Sequence, residues 1–153
     1  MEKDWKKQLS EVFEEFAILE NCKKETLQNF DHFCEFIAEP AFESLEEEFK
    51  DYGVKTKYKR DKGKSILFQI NFPRSRVDNF QYIIYLPKNS PEMKLKLRLK
   101  GRNEKRSLKK EWEEPFLGDI EASEVLNIQQ DTLIQDIIDH YRNFTLESFT
   151  QQE

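Results

Sequence analysis

The 153-residue chain is poor in the residues that shape tight loops and reactive sites: it has 4 Gly, 5 Pro and 2 Cys. With so few glycines a loop that wraps a phosphate group is hard to build, and no known phosphate-loop motif occurs. No Ser or Cys has the flanking sequence of a catalytic nucleophile. The sequence therefore identifies no catalytic residue and predicts no cofactor, and it leaves open whether the chain is an enzyme.

Long apolar runs are also missing. No stretch approaches the roughly 20 apolar residues that cross a bilayer, and residues 1–10 lack the apolar core of a signal peptide. With two cysteines and no secretory context, we expect a reduced, cytoplasmic protein that does not bind a membrane.

The few Cys and His residues do not form a metal-binding pattern. One histidine, His32, lies between Cys22 and Cys34, and the spacing of these three residues matches no usual zinc motif. Cys34 falls on a helical apolar stripe, which indicates a small core residue. His140 follows Asp136 by four positions near the end of a helix, where a solvent-facing histidine is favourable. We therefore expect no metal site.

Charge is abundant, and it is arranged in three blocks. Residues 1–53 carry 6 Lys and Arg against 15 Asp and Glu, residues 54–110 carry 18 against 4, and residues 111–153 carry 1 against 11. The net charge of −5 thus conceals a strongly basic middle between two acidic ends. Such a layout indicates where an anionic partner would bind, without naming it.

The length and the 13 Phe predict one domain, residues 1–153, with a hydrophobic core. Apolar residues recur at spacings of three and four in residues 5–19, 27–37 and 42–52, which predicts about three helices in the acidic part, 1–53. Residues 54–100 alternate between apolar and polar in four runs (54–59, 65–72, 80–86 and 93–100), as in an antiparallel sheet in meander order. Residues 101–126 read as a basic loop and an irregular connection, and 127–146 as a terminal helix.

The predicted fold class is therefore α+β, with the N-terminal helices and the C-terminal helix packed on one face of a sheet of about four strands. The helices should cover the sheet face formed by Tyr58, Ile66, Phe68, Ile70, Phe80, Tyr82, Ile84, Leu95 and Leu97. The opposite face should be open and basic.

The lysines of strands 54–59 and 93–100 have two explanations. In a four-stranded meander these two strands are the edges, and lysine on an edge strand prevents edge-to-edge aggregation. Alternatively, the open face binds an anion, because clustered Lys and Arg attract negatively charged partners. The first explanation predicts that strand 93–100 has a strand neighbour on one side only.

The run from Lys100 to Lys110 is harder to explain by edge protection, because it places six Lys and Arg in eleven positions. We therefore expect the basic sheet face and this loop to bind an acidic protein surface, a class that includes the acidic helices of another copy of the chain. The candidate contact residues are Lys57, Lys59, Arg60, Lys94, Lys96, Arg98, Lys100, Arg102, Lys105, Arg106, Lys109, Lys110 and Tyr85.

Single-stranded nucleic acid is the alternative ligand for the same surface, since clustered cations also bind phosphates. Exposed aromatic side chains that stack on bases would support it, but the outer face offers only Tyr85, with Trp112 as a further candidate. The sequence favours a non-catalytic protein-interaction module of unknown process. A nucleic-acid-binding domain and an enzyme with an unrecognised site remain the alternatives.

Overall fold

The fold was analysed in a computed structural model, which describes the backbone of residues 4–72, 79–103 and 106–150, and the side chains of these residues except 103, 106–110 and 147–150. The first third of the chain is a nearly continuous helical rod. Helix α1 (Trp5–Phe33) leads through a π-helical segment (Cys34–Ala38) into helix α2 (Glu39–Lys50). Pro40 lies in the first turn of α2, directly after the π-helical segment. The separate helices predicted over 5–19 and 27–37 are one helix, because neither glycine nor proline interrupts the chain before Pro40.

The two halves of α1 differ in burial. Thr26, Phe30 and Phe33 in the C-terminal half are buried in the core. In the N-terminal half, residues 5–20, every residue is exposed; we call this half the arm. The apolar stripe predicted for residues 5–19 is present on the arm, but it is exposed instead of buried.

A five-stranded antiparallel sheet follows, with the strands in sequence order. Its strands are β1 (Thr56–Asp61), β2 (Ser65–Asn71), β3 (Asn79–Tyr85), β4 (Lys96–Asn103) and β5 (Arg106–Pro115). The α+β class and the meander order are thus confirmed, with one strand more than the four expected. The additional strand, β5, arises in the segment predicted as a basic loop and irregular connection, and β4 also extends into it, so that prediction was wrong for residues 101–103 and 106–115.

Short 3₁₀ segments (Phe116–Gly118 and Ala122–Asn127) connect β5 to the terminal helix α3 (Gln130–Thr150). None of the described helices is long and apolar enough to span a membrane.

Helices α2 and α3 cover one face of the sheet, the inner face, as the alternation in the strands predicts. The ring of Phe42 in α2 stacks on Phe68 at a centroid distance of 5.0 Å, and Tyr141 in α3 packs on Phe80 at 5.8 Å. Of the predicted core positions, Tyr58 is partly buried. The others are buried, namely Ile66, Phe68, Ile70, Phe80, Tyr82, Ile84, Leu95 and Leu97.

Strand β4 is not an edge strand. It pairs with β3 on one side and with β5 on the other, so the edge-protection explanation was wrong for strand 93–100. Strand β1 pairs with β2 alone among the described strands, so for its lysines edge protection stays a prediction. The cations of β4 therefore need another explanation, and their contacts on the sheet face turned away from α2 and α3 provide it.

Helix α3 approaches β4 most closely at Gly101. A Cβ atom at this position would lie 2.1 Å from Cζ of Phe144, far inside van der Waals contact. Glycine inside a strand is typical of a site where another element comes close. Gly101 was expected to begin the basic loop, whereas it lies within β4 and makes room for Phe144.

Candidate functional site

The face of the sheet turned away from α2 and α3, the outer face, carries the predicted contact residues in rows that cross all five strands. One row consists of Lys59, Leu67, Ile83, Arg98 and Glu113, and the next of Lys57, Gln69, Gln81, Lys100 and Glu111. Each row therefore has a cation on β1, uncharged residues in the centre, a cation on β4 and a carboxylate on β5.

The carboxylates of β5 neutralise the cations of β4. Nη2 of Arg98 lies 2.7 Å from Oε1 of Glu113, and Nζ of Lys100 lies 4.0 Å from Oε1 of Glu111. The hydrogen bonds from Arg98 and Tyr85 lower the pKa of Glu113. Opposite charges facing each other on neighbouring strands stabilise a sheet, so these pairs explain why an interior strand carries Arg98 and Lys100.

Tyr85 belongs to the same cluster. Its hydroxyl donates a hydrogen bond to Oε2 of Glu113 at 3.0 Å, and its ring centroid lies 4.7 Å from the guanidinium carbon of Arg98. A cation at this distance over an aromatic face is favourable. The face of the Tyr85 ring is thus already occupied by Arg98.

The lysines of β1 are different. Lys57 and Lys59 are exposed, and neither forms an ion pair with a described residue. Between them and β4 lies an amide chain in which Gln81 donates to Gln69 at 2.8 Å and Gln69 donates to Asn71 at 2.7 Å. The centre of the outer face is therefore uncharged and hydrogen-bonded.

Two of the predicted contact residues are engaged elsewhere. Arg60 projects to the inner side, where Nη1 lies 3.1 Å from Oε2 of Glu39. Lys94 precedes β4 and forms an ion pair with Asp119 at 3.3 Å. Both side chains are committed to contacts with other parts of the chain, and Arg60 does not belong to the outer face.

The remaining predicted contact residues lie on β4, on β5 or between these strands in sequence. Lys96 and Arg102 are exposed on β4. The chain is described only as backbone at Arg106, Lys109 and Lys110, all in β5, and Lys105 lies outside the described residues. Trp112 is half-buried, and its ring stacks on Phe144 at a centroid distance of 6.2 Å. The expectation that Trp112 assists binding on the outer face was therefore wrong.

A cavity of about 550 Å³ opens where the outer face meets α1; we call it the cationic cleft. Ligand pockets commonly measure roughly 300–1,000 Å³, so the cleft is large enough for a small group or a peptide side chain. Its lining comes from α1, the β1–β2 turn, the end of β3, the connection that follows, and β4. Its lining residues include Lys23, Leu27, Lys64, Ile83, Tyr85, Leu86, Lys88 and Arg98.

The charge in the cleft has one sign. Lys23, Lys64, Lys88 and Arg98 line it, and none of the described residues that line it is acidic. Of these four, only Arg98 forms an ion pair with a described residue. Leu27, Ile83 and Leu86 supply an apolar wall. The arrangement can hold a carboxylate or phosphate group beside an apolar one.

His140 lies in a second polar cluster, on the inner side of the sheet. Its Nδ1 donates to the carbonyl oxygen of Asp136 at 2.8 Å, and its Nε2 contacts the carboxylate of Glu114 on β5. Tyr82, which is fully buried, donates a hydrogen bond to Oδ2 of Asp136 at 2.5 Å. The prediction of a solvent-facing His140 without a second carboxylate was wrong, because β5 was not foreseen and brings Glu114 to the imidazole.

The pKa of His140 follows from these contacts. Burial alone would lower it, but the hydrogen bonds and charge of Asp136 together with the Glu114 carboxylate outweigh burial and raise the pKa to about 9. Burial and the adjacent Asp136 raise the pKa of Tyr82 well above its usual range. Both ring nitrogens of His140 are bonded to groups of its own chain. The cluster joins α3 to the sheet.

The cysteines fit a structural role in the described part of the chain. Cys34 is buried, as predicted, and burial raises the pKa of its thiol to about 12, which makes it a poor nucleophile. No group of three or more His, Cys, Asp or Glu side chains among the described residues is arranged to hold a metal ion.

Lys23, Lys64 and Lys88 are the cleft residues that sequence reasoning missed. A signal for two of them was available, because in a meander the β1–β2 turn, with Lys64, and the β3–β4 connection, with Lys88, lie at the same end of the sheet. No comparable signal existed for Lys23, since its position depends on where α1 crosses that end.

Comparisons with protein-family models, with curated proteins and with solved structures find no match to this chain. The site must therefore be interpreted from its own geometry.

Proposed function

We propose that this chain is a non-catalytic protein-interaction module that binds an acidic segment of a partner protein on the outer face of its sheet, with the cationic cleft as the anchoring point. The observation that carries the proposal is the lining of the cleft, which holds three lysines besides the paired Arg98, while none of the described lining residues is acidic. A carboxylate entering it would meet Lys23, Lys64 and Lys88, whose charges no described carboxylate neutralises by an ion pair.

The surroundings of the cleft favour a continuous contact along the outer face. Lys57 and Lys59 on β1 extend the positive surface beyond the cleft, and the amides of Gln69 and Gln81 lie between β1 and β4. Complementary charges around a binding site raise the association rate and reject partners of the wrong sign. We infer that the acidic segment crosses the uncharged centre of the outer face toward the β1 lysines.

An acidic polypeptide fits this surface better than single-stranded nucleic acid does. Proteins that bind single strands combine cations with free aromatic faces on which bases stack. On the outer face the ring of Tyr85 is covered by Arg98, and Trp112 lies on the inner side against Phe144. The apolar wall of Leu27, Ile83 and Leu86 suits an aliphatic side chain next to the carboxylate.

Binding of two labelled probes, followed by fluorescence anisotropy, tests the proposal. The probes are a short peptide that alternates Glu and Leu and an oligothymidylate of the same length. We expect the peptide to bind, and Lys64→Glu/Lys88→Glu to weaken its binding by about tenfold or more, equivalent to about 1.4 kcal/mol. The matched control, Lys50→Glu/Arg142→Glu, changes the net charge equally at exposed positions outside the cleft and should bind like the unaltered chain.

Three results would count against the proposal. Failure of the peptide to bind would remove the cleft as an anchoring point. Equal losses in the two double variants would show an unspecific charge effect. Tighter binding of the oligothymidylate, with a steep dependence on salt, would favour a nucleic-acid-binding domain.

A further inference from the structure

The arm carries an apolar seam that no described part of the chain covers. Its residues are Trp5, Leu9, Val12, Phe16 and Leu19, separated alternately by four and three positions. Each of these side chains is between 43% and 63% exposed. An alternating four-and-three spacing is the pattern with which one helix packs along another.

The same spacing continues into the body of the protein. Positions 23, 26, 30 and 33 extend the seam, and Thr26, Phe30 and Phe33 are buried in the core. One stripe of α1 is thus covered by its own chain from residue 26 onward and is bare before residue 20. An isolated helix of this length is only marginally stable in water, so a second helix packed on the seam would stabilise the arm.

We propose that the arms of two copies of this chain pair in antiparallel orientation, with Leu9 of one copy opposite Leu19 of the other and Val12 opposite Phe16. This inference is argued without the acidic partner on the outer face, and the two surfaces share one residue, Lys23, at the end of the seam. In this register every seam residue of the arm gains a contact. Trp5 of one copy lies opposite Lys23 of the other, where the body of that copy begins.

The length of the arm selects this register. A shift of seven positions in one direction places Leu19 opposite position 2, which precedes α1 in the sequence, so no residue of the other copy's α1 covers Leu19. The opposite shift places Trp5 opposite Phe30, which is already buried in its own core. Only the proposed register covers the seam from Trp5 to Leu19 without entering the body of the other copy.

Charge selects the antiparallel orientation. In the proposed register Lys6 of each copy lies beside Glu20 of the other, which gives two attractive pairs, and Phe13 meets Phe13 at the centre. The cost is one repulsive contact between the two Glu15 side chains. In a parallel pair, Glu15 of each copy would lie beside Glu20 of the other, which gives two repulsive contacts and no attractive one.

A membrane surface is a poor alternative for the arm. Helices that lie on anionic lipid carry Lys and Arg on the polar face. Residues 4–21 contain Lys6 and Lys7 against five acidic residues, Asp4, Glu11, Glu14, Glu15 and Glu20. A second copy offers the complementary charges that such a surface lacks.

Sedimentation of the full chain over a series of concentrations tests the inference, with circular dichroism to confirm that each variant is folded. We expect a dimer, and we expect Phe16→Glu to make it monomeric. Ile18→Glu is the matched control, because Ile18 is as exposed as Phe16, at 63% against 56%, but lies on the opposite side of the helix. It should leave the dimer intact.

Charge exchange tests the register and the orientation. Lys6→Glu and Glu20→Lys should each raise the dimer dissociation constant by about tenfold, since each replaces two attractive pairs by two repulsive ones. The double variant Lys6→Glu/Glu20→Lys should restore it. A chain that stays monomeric, equal behaviour of the Phe16 and Ile18 variants, or no restoration in the double variant would overturn the proposal; none of these readouts depends on binding at the cleft.

Discussion

At the scale of single residues, His140 shows how a contact between distant elements changes chemistry. It lies on α3, and its partner Glu114 lies on β5. Its pKa rises from 6.5 to about 9 as the chain folds. A base that gains affinity for its proton on folding stabilises the folded state while it is protonated. The contribution is therefore complete below pH 6.5 and is lost as the pH rises through about 9.

His140→Gln should remove this dependence. We expect the variant to lose more free energy of unfolding, relative to the unaltered chain, below pH 6.5 than above pH 9, because glutamine carries no charge in the range where the imidazole is protonated. Urea denaturation of both proteins at a series of pH values across this window measures the difference. A difference that does not change with pH would mean that the imidazole has the same pKa in the folded and the unfolded chain.

At the scale of elements, the packing of α3 on β4 depends on the missing side chain at Gly101. Gly101→Ala should lower the free energy of unfolding by about 1–3 kcal/mol, the usual cost of overpacking, because the added Cβ overlaps the ring of Phe144. Lys96→Ala, on the outer face of the same strand, is the control and should change it by less than about 0.5 kcal/mol. Chemical denaturation measures both.

A second variant, Phe144→Ala, tests whether the overlap with the Phe144 ring causes the loss of stability in Gly101→Ala. If the overlap with Phe144 is responsible, Gly101→Ala should cost little in a chain that already carries Phe144→Ala, because the ring is gone. Two changes at contacting residues are expected to be non-additive in this way. An undiminished cost in the Phe144→Ala background would place the strain elsewhere in β4.

The elements differ in how far the sequence predicts them. Alternation places Leu97 inside and Lys96 outside because each depends only on the pleat of its own strand. The neighbours of that strand are not encoded in its alternation, which is why β4 was expected at the edge and β5 was missed. A glycine in a basic run resembles a turn, so the place of Gly101 within β4 becomes clear only once Phe144 packs against it.

The candidate site was predicted only in part, because alternation places a residue on a face of its strand but does not reveal contacts with other elements. Lys57, Lys59, Lys96 and Arg98 follow from alternation, and the structure has all four on the outer face. Arg60 was misplaced because the predicted strand ended at residue 59, whereas β1 continues to Asp61 and its alternation turns Arg60 to the inner side, where it pairs with Glu39. The seam of the arm was read correctly as one face of a helix, but periodicity does not reveal whether that face is covered by the same chain or by another.

At the scale of the whole molecule, the proposed surfaces differ in what drives association. The cleft presents lysines to a charged segment, whereas the arm presents the aromatic and aliphatic residues of its seam. Salt shortens the screening length from about 10 Å at about 0.1 M to about 3 Å at about 1 M, which weakens attraction between exposed charges. Burial of apolar surface has no such dependence.

Raising the salt concentration between these limits should therefore separate the two associations. We expect binding of the Glu and Leu peptide to weaken steeply, while the dimer dissociation constant changes little, since salt screens the attractive Lys6 and Glu20 contacts and the repulsive Glu15 contact together. Anisotropy and sedimentation of the same preparation measure both. If the dimer weakened as steeply as the peptide complex, the arms would be held by charge instead of by the seam; if neither weakened, the lysines of the cleft would not be what holds the peptide.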